Sequence, residues 1–327
     1  MLIFGDTEVK KIALLMLAAA LCGCDRQSVP AGKGGAVKVI ERADGFEILD
    51  GSEKVLFYQL KAKSLGGKLE RLNYIHPLYN LDGEVITEDF PEDHKHHRGI
   101  FWAWHQLYIG ERQVGDGWAL TDFSQQVISA KILKTGADSA AVKTEVLWKS
   151  PLWVDERGAE KPIVKVTSVV RVHRAERDIR KIDFEISLLG LEENMRIGGS
   201  EDVKGYGGFS TRIKLRDGFN FVGEIGEVEP VTNQVAGGGW MDISGRYGED
   251  ERLSGIAILC HKSNPVYPSR WILRRKNSCQ NAVYPGQDAV ALSNKKATVL
   301  RYRLILHRGD VDRVDIDKLQ KEYNAGY

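Results

Sequence analysis

Histidine is concentrated in one part of the chain, where five of the eight histidines lie between residues 76 and 105. The imidazole group titrates near neutral pH, so such a cluster can move protons or bind a metal ion. We predict that this segment forms the wall of a pocket, with His96, His97 and Arg98 as polar contacts. The competing interpretation is a polar turn in which one histidine is buried and satisfied.

Two glycine-rich segments follow, and each contains a carboxylate. Glu201 lies in the segment 198–212, where glycines would let the backbone approach a ligand closely. Lys204 and Tyr206 of the same segment can donate hydrogen bonds to an oxygen-rich ligand. The order of residues is not that of a phosphate-binding loop. A glycine-rich turn without a ligand is the alternative.

The second of these segments runs from three successive glycines into Trp240 and Asp242. The carboxylate of Asp242 could serve as a base or as a ligand. Three further contacts are predicted downstream, at His261, Asn264 and His307. The alternative for this group is a tight turn in which the asparagine caps local backbone.

A metal site built from His94, His96 and His97 is disfavoured. Neighbouring residues of a strand point to opposite faces, so His96 and His97 could bind one ion only if the loop bends. The chain also lacks a His-Glu-x-x-His motif, and no cysteine pair supports such a site. We therefore expect neither a metal ion nor an organic cofactor.

The surrounding sequence predicts β-strands to position these segments. Apolar and polar residues alternate over 164–172, 182–188 and 302–306, as they do in a strand with one buried face. Asp50-Gly51 separates two further apolar runs and predicts a hairpin.

A single persuasive helix is predicted at the C-terminal end of the chain. Ile316, Leu319 and Tyr323 would share one helical face, and Asp315 is the predicted N-cap. The predicted fold is therefore an all-β protein, a large antiparallel β-sandwich with a short C-terminal helix.

The N-terminal residues resemble the export signal of a bacterial lipoprotein. The apolar run 12–21 is too short to span a bilayer, and Gly23-Cys24 resembles the lipidation site of such signals. A lipid on Cys24 would anchor the protein to the bacterial membrane, in the periplasm or at the cell surface. A plain secretory signal or an apolar core helix is the alternative. The predicted organisation is a signal peptide at 1–23, a flexible tether at 24–36 and a single domain at 37–327.

Charge and cysteine content add two expectations. Lysine and arginine number 46 against 45 aspartate and glutamate, so no general electrostatic attraction to nucleic acid is expected. An exported protein meets an oxidising compartment, where Cys260 and Cys279 could form a disulfide. Two buried free thiols are an equally good interpretation.

Five motifs resemble the signature blocks of one bacterial family of unknown function. They run from about residue 74 to about residue 310 and read HPLY, DFPEDHKHHRGIFWAW, KGYGGFSTR, HKSNPVYPSRW and YRLILHRGD. Members of this PmoA-like family often carry the label "methane oxygenase PmoA". The resemblance implies a supersandwich similar to that of galactose mutarotases, and by fold-level analogy a sugar or glycan as ligand.

The function implied by this resemblance is a carbohydrate-active enzyme, either an isomerase, a lyase or a hydrolase. In a mutarotase-like scheme His96 or His97 would be the catalytic acid that protonates the ring oxygen, while Glu201 or Asp242 takes the proton of the anomeric hydroxyl. The substrate contacts would be Arg98, Lys204 and Tyr206, which would hold hydroxyls or a carboxylate, and Trp104 or Trp240, which would stack on a sugar face. A non-catalytic glycan-binding lipoprotein is the alternative. Methane oxygenase activity is disfavoured, because that subunit is an integral membrane protein.

Overall fold

The computed structural model describes residues 35–247, 252–276 and 279–326. The predicted signal peptide, the predicted lipidation site at Cys24 and nearly all of the predicted tether lie outside these residues. Within the part of the chain that is described, no helix is long and apolar enough to cross a membrane. The described residues are mostly β-strand with a short C-terminal helix, as the sequence predicts.

The described residues form a long succession of strands, followed by their one α-helix, α1, at Ile316–Ala325. In chain order the strands are β1 (Val37–Arg42), β2 (Gly45–Asp50), β3 (Glu53–Gln59), β4 (Lys63–Leu65), β5 (Lys68–Arg71), β6 (Tyr74–Leu78), β7 (Ile100–Trp104), β8 (Gln106–Ile109), β9 (Arg112–Gly115), β10 (Ser124–Lys134), β11 (Ser139–Val154), β12 (Glu160–His173), β13 (Ile179–Gly190), β14 (Met195–Gly198), β15 (Gly207–Thr211), β16 (Asn220–Gly223), β17 (Gly226–Glu227), β18 (Trp240–Arg246), β19 (Leu253–Cys260), β20 (Trp271–Ile272), β21 (Gln280–Val283), β22 (Val290–Ala291) and β23 (Thr298–Arg308).

Two large antiparallel sheets contain most of these strands. The eight-stranded sheet has the order β1-β2-β3-β6-β7-β15-β21-β20, and the nine-stranded sheet has the order β10-β11-β12-β13-β23-β19-β18-β16-β17. A four-stranded sheet, β22-β14-β8-β9, and the hairpin β4-β5 accompany them. The last strand of the chain, β23, therefore lies inside the nine-stranded sheet, between β13 and β19.

The two large sheets pack face to face through their alternating apolar residues. Phe209 of β15 stacks on Tyr302 of β23 with ring centroids 4.5 Å apart, and Trp102 of β7 meets Phe184 of β13 at 6.5 Å. The inward residues of the three predicted alternating runs are each 1% exposed or less. Their burial confirms the predicted strands, and the packing confirms an antiparallel sandwich.

The outer face of the eight-stranded sheet carries a second, smaller apolar cluster. Along β7, Trp102 and Trp104 point into the sandwich, whereas Phe101 and Ala103 point outward and pack with Trp118. This division follows from the two-residue period of a strand. The residues around β7 on this outer face include most of the histidine-rich segment.

Helix α1 covers part of the outer face of the nine-stranded sheet. Ile316, Leu319 and Tyr323 are buried there against residues of β19 and β23. The carboxylate of Asp315 accepts a hydrogen bond from the backbone N–H of Lys318 at 2.9 Å, which confirms the predicted N-cap.

The two cysteines of the domain are buried free thiols. Cys260 lies in the core between the sheets, whereas Cys279 belongs to the cluster on the outer face of the eight-stranded sheet. Burial raises the pKa of each thiol to about 12. Of the two interpretations of these cysteines, the structure has the free thiols.

Candidate functional site

Four histidine side chains gather on the outer face of the eight-stranded sheet, and we call them the histidine cluster: His94, His96, His97 and His105. His97 stacks on His94 with ring centroids 4.8 Å apart and meets the edge of His96 at 4.5 Å. His94 and His96 reach the solvent in part, whereas His97 is 5% exposed. The cluster is therefore open to solvent at His94 and His96, where a small molecule could reach it, and His97 forms its buried part.

The loop before β7 holds three of these histidines, and Arg98 fixes that loop from inside. Its guanidinium donates to the carbonyls of Lys95, His97 and Leu69 at 2.5–2.9 Å and lies 3.5 Å above the ring of Phe90. The side chain is wholly buried, and its Nε lies 3.3 Å from Asp89 in an ion pair. Arg98 therefore shapes the loop, which does not fit the substrate contact predicted for it.

A second buried arginine fastens the same loop to β15. Arg212 donates two hydrogen bonds to Asp93, at 2.9 and 2.6 Å, and one to Glu88 at 2.7 Å. Its Nη1 also lies 3.4 Å from Nδ1 of His97. Bidentate pairs of this kind fix orientation as well as position. Arg212 is the last residue of the glycine-rich segment 198–212 but was not among the residues predicted for the site.

The environment keeps two of the clustered imidazoles neutral. Burial, followed by the charge of Arg71, lowers the pKa of His96 to about 4. Burial, followed by the neighbouring His96 and His94, lowers the pKa of His97 to about 2. A neutral imidazole accepts a proton more readily than it gives one, so at pH 7 these side chains suit the role of a base better than the predicted role of an acid.

His105 differs from the other members because a carboxylate supports it. Its Nδ1 lies 2.8 Å from Oδ2 of Asp116, and its ring stacks on Trp118 at 5.4 Å. The other oxygen of Asp116 accepts the backbone N–H groups of Trp118 and Ala119. The side chains of His105 and Asp116 are 25% and 22% exposed. This oriented pair, open to solvent, has the form of a proton-transferring group.

A local feature of the sequence, the hairpin β8-β9, indicates this pair, which was not among the predicted site residues. His105 directly precedes β8 and Asp116 directly follows β9. The two strands form an antiparallel hairpin, so the residues at its open end are brought together. Recognising that hairpin would have placed the carboxylate beside the histidine.

Tyr206 and two further arginines border the cluster. Tyr206 packs on Trp118 with ring centroids 5.5 Å apart, and its hydroxyl accepts a hydrogen bond from Arg274. Arg71 donates to the carbonyls of Gly117 and Trp118 at 2.9 and 3.1 Å. The predicted contact Tyr206 is thus beside the histidines. Lys204 lies nearby in sequence, but its ammonium pairs with Asp202 at 3.0 Å.

Glu201 lies at a different feature, an open cleft of about 540 Å³. Its carboxylate accepts a hydrogen bond from Tyr108 at 2.9 Å. None of the histidines lines this cleft, whose walls are Gln106, Tyr108, Glu111, Arg196, Glu201, Gln287, Asp288 and Ala289. Glu201 therefore does not fit the role of a base acting together with His96.

Asp242 and His307 form a buried pair on the outer face of the nine-stranded sheet. Oδ1 of Asp242 lies 2.8 Å from Nε2 of His307, and both side chains are 0% exposed. This face is on the opposite side of the sandwich from the histidine cluster. Asp242 therefore cannot serve as a base for His96, and His307 cannot touch a ligand bound there.

The other predicted contacts of this group also have partners within the fold. The indole of Trp240 donates to Asp317 of α1 at 2.8 Å. The ring of His261 packs against Tyr323 at 5.1 Å, and its Nδ1 lies 2.7 Å from the hydroxyl of Ser263. These contacts hold the helix against the sheet and leave neither ring facing the histidine cluster.

Asn264 and Trp104 are likewise structural. The amide of Asn264 donates to the carbonyl of Arg301 at 2.8 Å and accepts from its N–H at 2.7 Å, which imitates a neighbouring strand. Trp104 is buried between the sheets, where its indole donates to the carbonyl of Tyr284 at 2.7 Å. A buried ring cannot stack on a sugar, so the role predicted for Trp104 does not fit.

Among the residues that the structure describes, no group of three or more His, Cys, Asp or Glu side chains is arranged to hold a metal ion. The nitrogen atoms of the cluster have other neighbours. Nδ1 of His94 lies 2.6 Å from Asp93, and Nδ1 of His97 faces Arg212.

A family model matches residues 46–321, that of the family of unknown function DUF6807. The chain belongs to this family. The DUF6807 match contains the whole histidine cluster and its bordering residues, as well as the Asp242–His307 pair. No curated protein matches the sequence.

Proposed function

We propose that this DUF6807 member is a carbohydrate-active enzyme that moves protons through the histidine cluster. The observation that carries the proposal is the pairing of His105 with Asp116 at a partly exposed position. His96 is near enough for the charge of His105 to affect its pKa. Two imidazoles in different environments are thus available to one ligand, which is the arrangement that acid and base catalysis needs.

The environments divide the roles between the two histidines. The Asp116 carboxylate holds the His105 ring by its Nδ1, so the other ring nitrogen of His105 can exchange a proton with a ring oxygen or a glycosidic oxygen. His96 is neutral because burial and Arg71 lower its pKa to about 4, so it can take a proton from a sugar hydroxyl. This assignment gives the base role to a histidine, in place of Glu201 or Asp242.

Carbohydrate as the substrate class is supported by the resemblance to PmoA-like proteins and, through them, to the galactose mutarotase supersandwich. The reaction would be an isomerisation, an elimination or a hydrolysis, because each of these needs one group that gives and one that takes a proton. Non-catalytic glycan binding has less support, because Trp104 and Trp240 are both covered and offer no aromatic platform. Methane oxygenase activity forms no part of the proposal.

The test is a panel of free sugars and glycosides followed by NMR, which detects anomeric exchange, elimination and bond cleavage alike. We expect His105→Gln and His96→Gln each to lower kcat by about 10²–10⁴ on the substrate that is turned over. His173→Gln is the matched control, because His173 also lies 2.8 Å from an aspartate and has a similarly exposed side chain, at 28%. Full activity in both cluster variants would refute the assignment.

We also propose that the protein is exported and anchored to a bacterial membrane through a lipid on Cys24. The support is the resemblance of the first residues to a lipoprotein signal. Metabolic labelling with a radioactive fatty acid should mark the native protein and leave Cys24→Ser unlabelled. Equal labelling of both proteins, or labelling of neither, would contradict the proposal.

A further inference from the structure

Arg71 and Arg274, which lie beside the histidine cluster, form no ion pair with a described carboxylate. Arg98 and Arg212, by contrast, each form an ion pair with an aspartate. Arg71 is 2% exposed and forms no ion pair with a described residue; its Nη2 donates to two backbone carbonyls. Arg274 likewise donates to the carbonyls of Val231, Leu273 and Thr232. Both guanidinium charges therefore lack a negative partner within the described part of the chain.

The positive charges of these arginines act on one region. Arg71, Arg212 and Arg274 all lower the pKa of the Cys279 thiol, against the larger effect of burial. Trp118 joins the two unmatched arginines, because Arg71 donates to its carbonyl while Tyr206, which binds Arg274, packs on its ring. Arg71 is buried, and a buried charge is costly without a counter-charge.

The neighbouring histidines do not supply that counter-charge, because a neutral imidazole carries none. Asp116 is a carboxylate whose charge raises the pKa of Arg71, but its oxygens already contact His105 and accept from two backbone N–H groups. We therefore expect a ligand of this region to carry a negative charge.

Tyr206 provides a directional donor at the accessible edge of this region. Its hydroxyl accepts a hydrogen bond from Arg274, so its own hydrogen can be donated to a ligand oxygen. The side chains of Tyr206 and Arg274 are both partly exposed, whereas Arg71 lies behind them as buried charge. A carboxylate matches this combination of a phenolic donor and guanidinium charge.

We propose that the ligand of the histidine cluster is an acidic sugar, whose carboxylate binds at Tyr206 and Arg274 with Arg71 contributing buried positive charge. The proposal rests on the proposed function for the sugar part of the ligand, and it adds the charge. Uronic and aldonic acids are the sugars that carry such a group.

Calorimetric titration of the full domain with matched pairs of sugars tests this. D-glucuronate and D-galacturonate differ from D-glucose and D-galactose only at the sixth carbon. We expect the acid of at least one pair to bind about tenfold more tightly than its neutral counterpart, or better, which is the strength of one charge-assisted hydrogen bond. Neutral sugars that bind as tightly as the acids would overturn the inference and leave the proposed function standing.

Two variants locate the carboxylate. Tyr206→Phe and Arg274→Gln should each remove most of the preference for the acid, whereas Arg275→Gln should retain it. Arg275 is the matched control because it is the next residue, is exposed and pairs with Glu229 at 2.5 Å. Tyr206→Phe removes one oxygen and so tests the site even if Arg274→Gln fails to fold. An unchanged preference in Tyr206→Phe would overturn the assigned position.

Two further outcomes separate the inference from its premises. Sulfate that competes with glucuronate at equal concentration would indicate a simple anion site and overturn the acidic sugar. Failure of every sugar, neutral or acidic, to bind or react would count against the proposed function itself.

Discussion

The side chain of His307 reaches over β19 to Asp242, placing its Nε2 2.8 Å from Oδ1 within a wholly buried pair. Asp242 lies on β18 and His307 on β23, and Gly255 of β19 lies between them beneath the ring. A Cβ atom at residue 255 would overlap that ring. The pair therefore exists because one position of the middle strand has no side chain.

Replacement of this glycine should be costly. We expect Gly255→Ala to lower the free energy of unfolding by about 2–4 kcal/mol. The added methyl group must displace the His307 ring, and the buried carboxylate of Asp242 then loses its partner. Gly136→Ala is the control, since nothing approaches a Cβ there more closely than 3.7 Å. Urea unfolding compares the two variants, and equal stability would mean that the ring can move at no cost.

Acid should destabilise the protein through His97. Its pKa is about 2 in the folded protein against 6.5 for an ordinary histidine, so below pH 6.5 the unfolded chain gains a proton that the folded chain does not bind. Stability from this group is complete above pH 6.5 and is lost as the pH falls below it, by about 1.4 kcal/mol per pH unit.

The measurement is urea unfolding at several pH values between 7 and 5. His97→Gln should have a slope of stability against pH shallower than that of the native protein by about 1.4 kcal/mol per unit between pH 6 and 5. Identical slopes would show that His97 binds a proton as readily in the folded protein as in the unfolded chain.

The arginine that fastens the histidine loop should matter more than an exposed arginine. Arg212→Gln removes the bonds to Asp93 and Glu88, and we expect a loss of about 2–3 kcal/mol, less than for a fully buried pair because both carboxylates are partly exposed. The control is Arg42→Gln. The ion pair of Arg42 with Glu47 is short, but the Arg42 side chain is exposed, so the loss of stability should be under about 1 kcal/mol. Thermal and urea unfolding measure the stability of both variants. A similar loss of stability in Arg212→Gln and in Arg42→Gln would contradict this ranking.

The variant Asn264→Ala tests whether Asn264 has a structural role or makes the ligand contact predicted from the sequence. Asn264→Ala removes the hydrogen bond to the N–H of Arg301 and one of the two that its carbonyl accepts, the other coming from the N–H of His261, so stability should fall by about 1–3 kcal/mol. Turnover at a temperature where the variant is folded should stay at the native value, since the residue lies away from the histidine cluster. A large loss of kcat without loss of stability would restore the predicted contact.

The strands were predictable because the sandwich buries one side of each, and the two-residue period records that burial directly. In β7 the same period places Phe101 and Ala103 on one side of the strand and Trp102 and Trp104 on the other. It does not say which of the two sides faces the other sheet. Trp104 was therefore assigned to a ligand although it belongs to the core.

The composition of the site was less predictable for a related reason. Segments with similar chemistry, such as those around His97 and His307, lie on opposite outer faces of the sandwich. Only the order of strands in the sheets separates them, and that order depends on contacts distant in sequence. The His105–Asp116 pair depends on a single local hairpin, so it was within reach of the sequence.

The position of β23 has a consequence for how the chain is made. A chain emerging from its N-terminus contains β13 and β19 long before their shared neighbour, residues 298–308, exists. Until then both strands present open edges, which are templates for aggregation. The nine-stranded sheet can close only after residues 298–308 are available, so a chain truncated before residue 298 lacks a strand in the middle of this sheet.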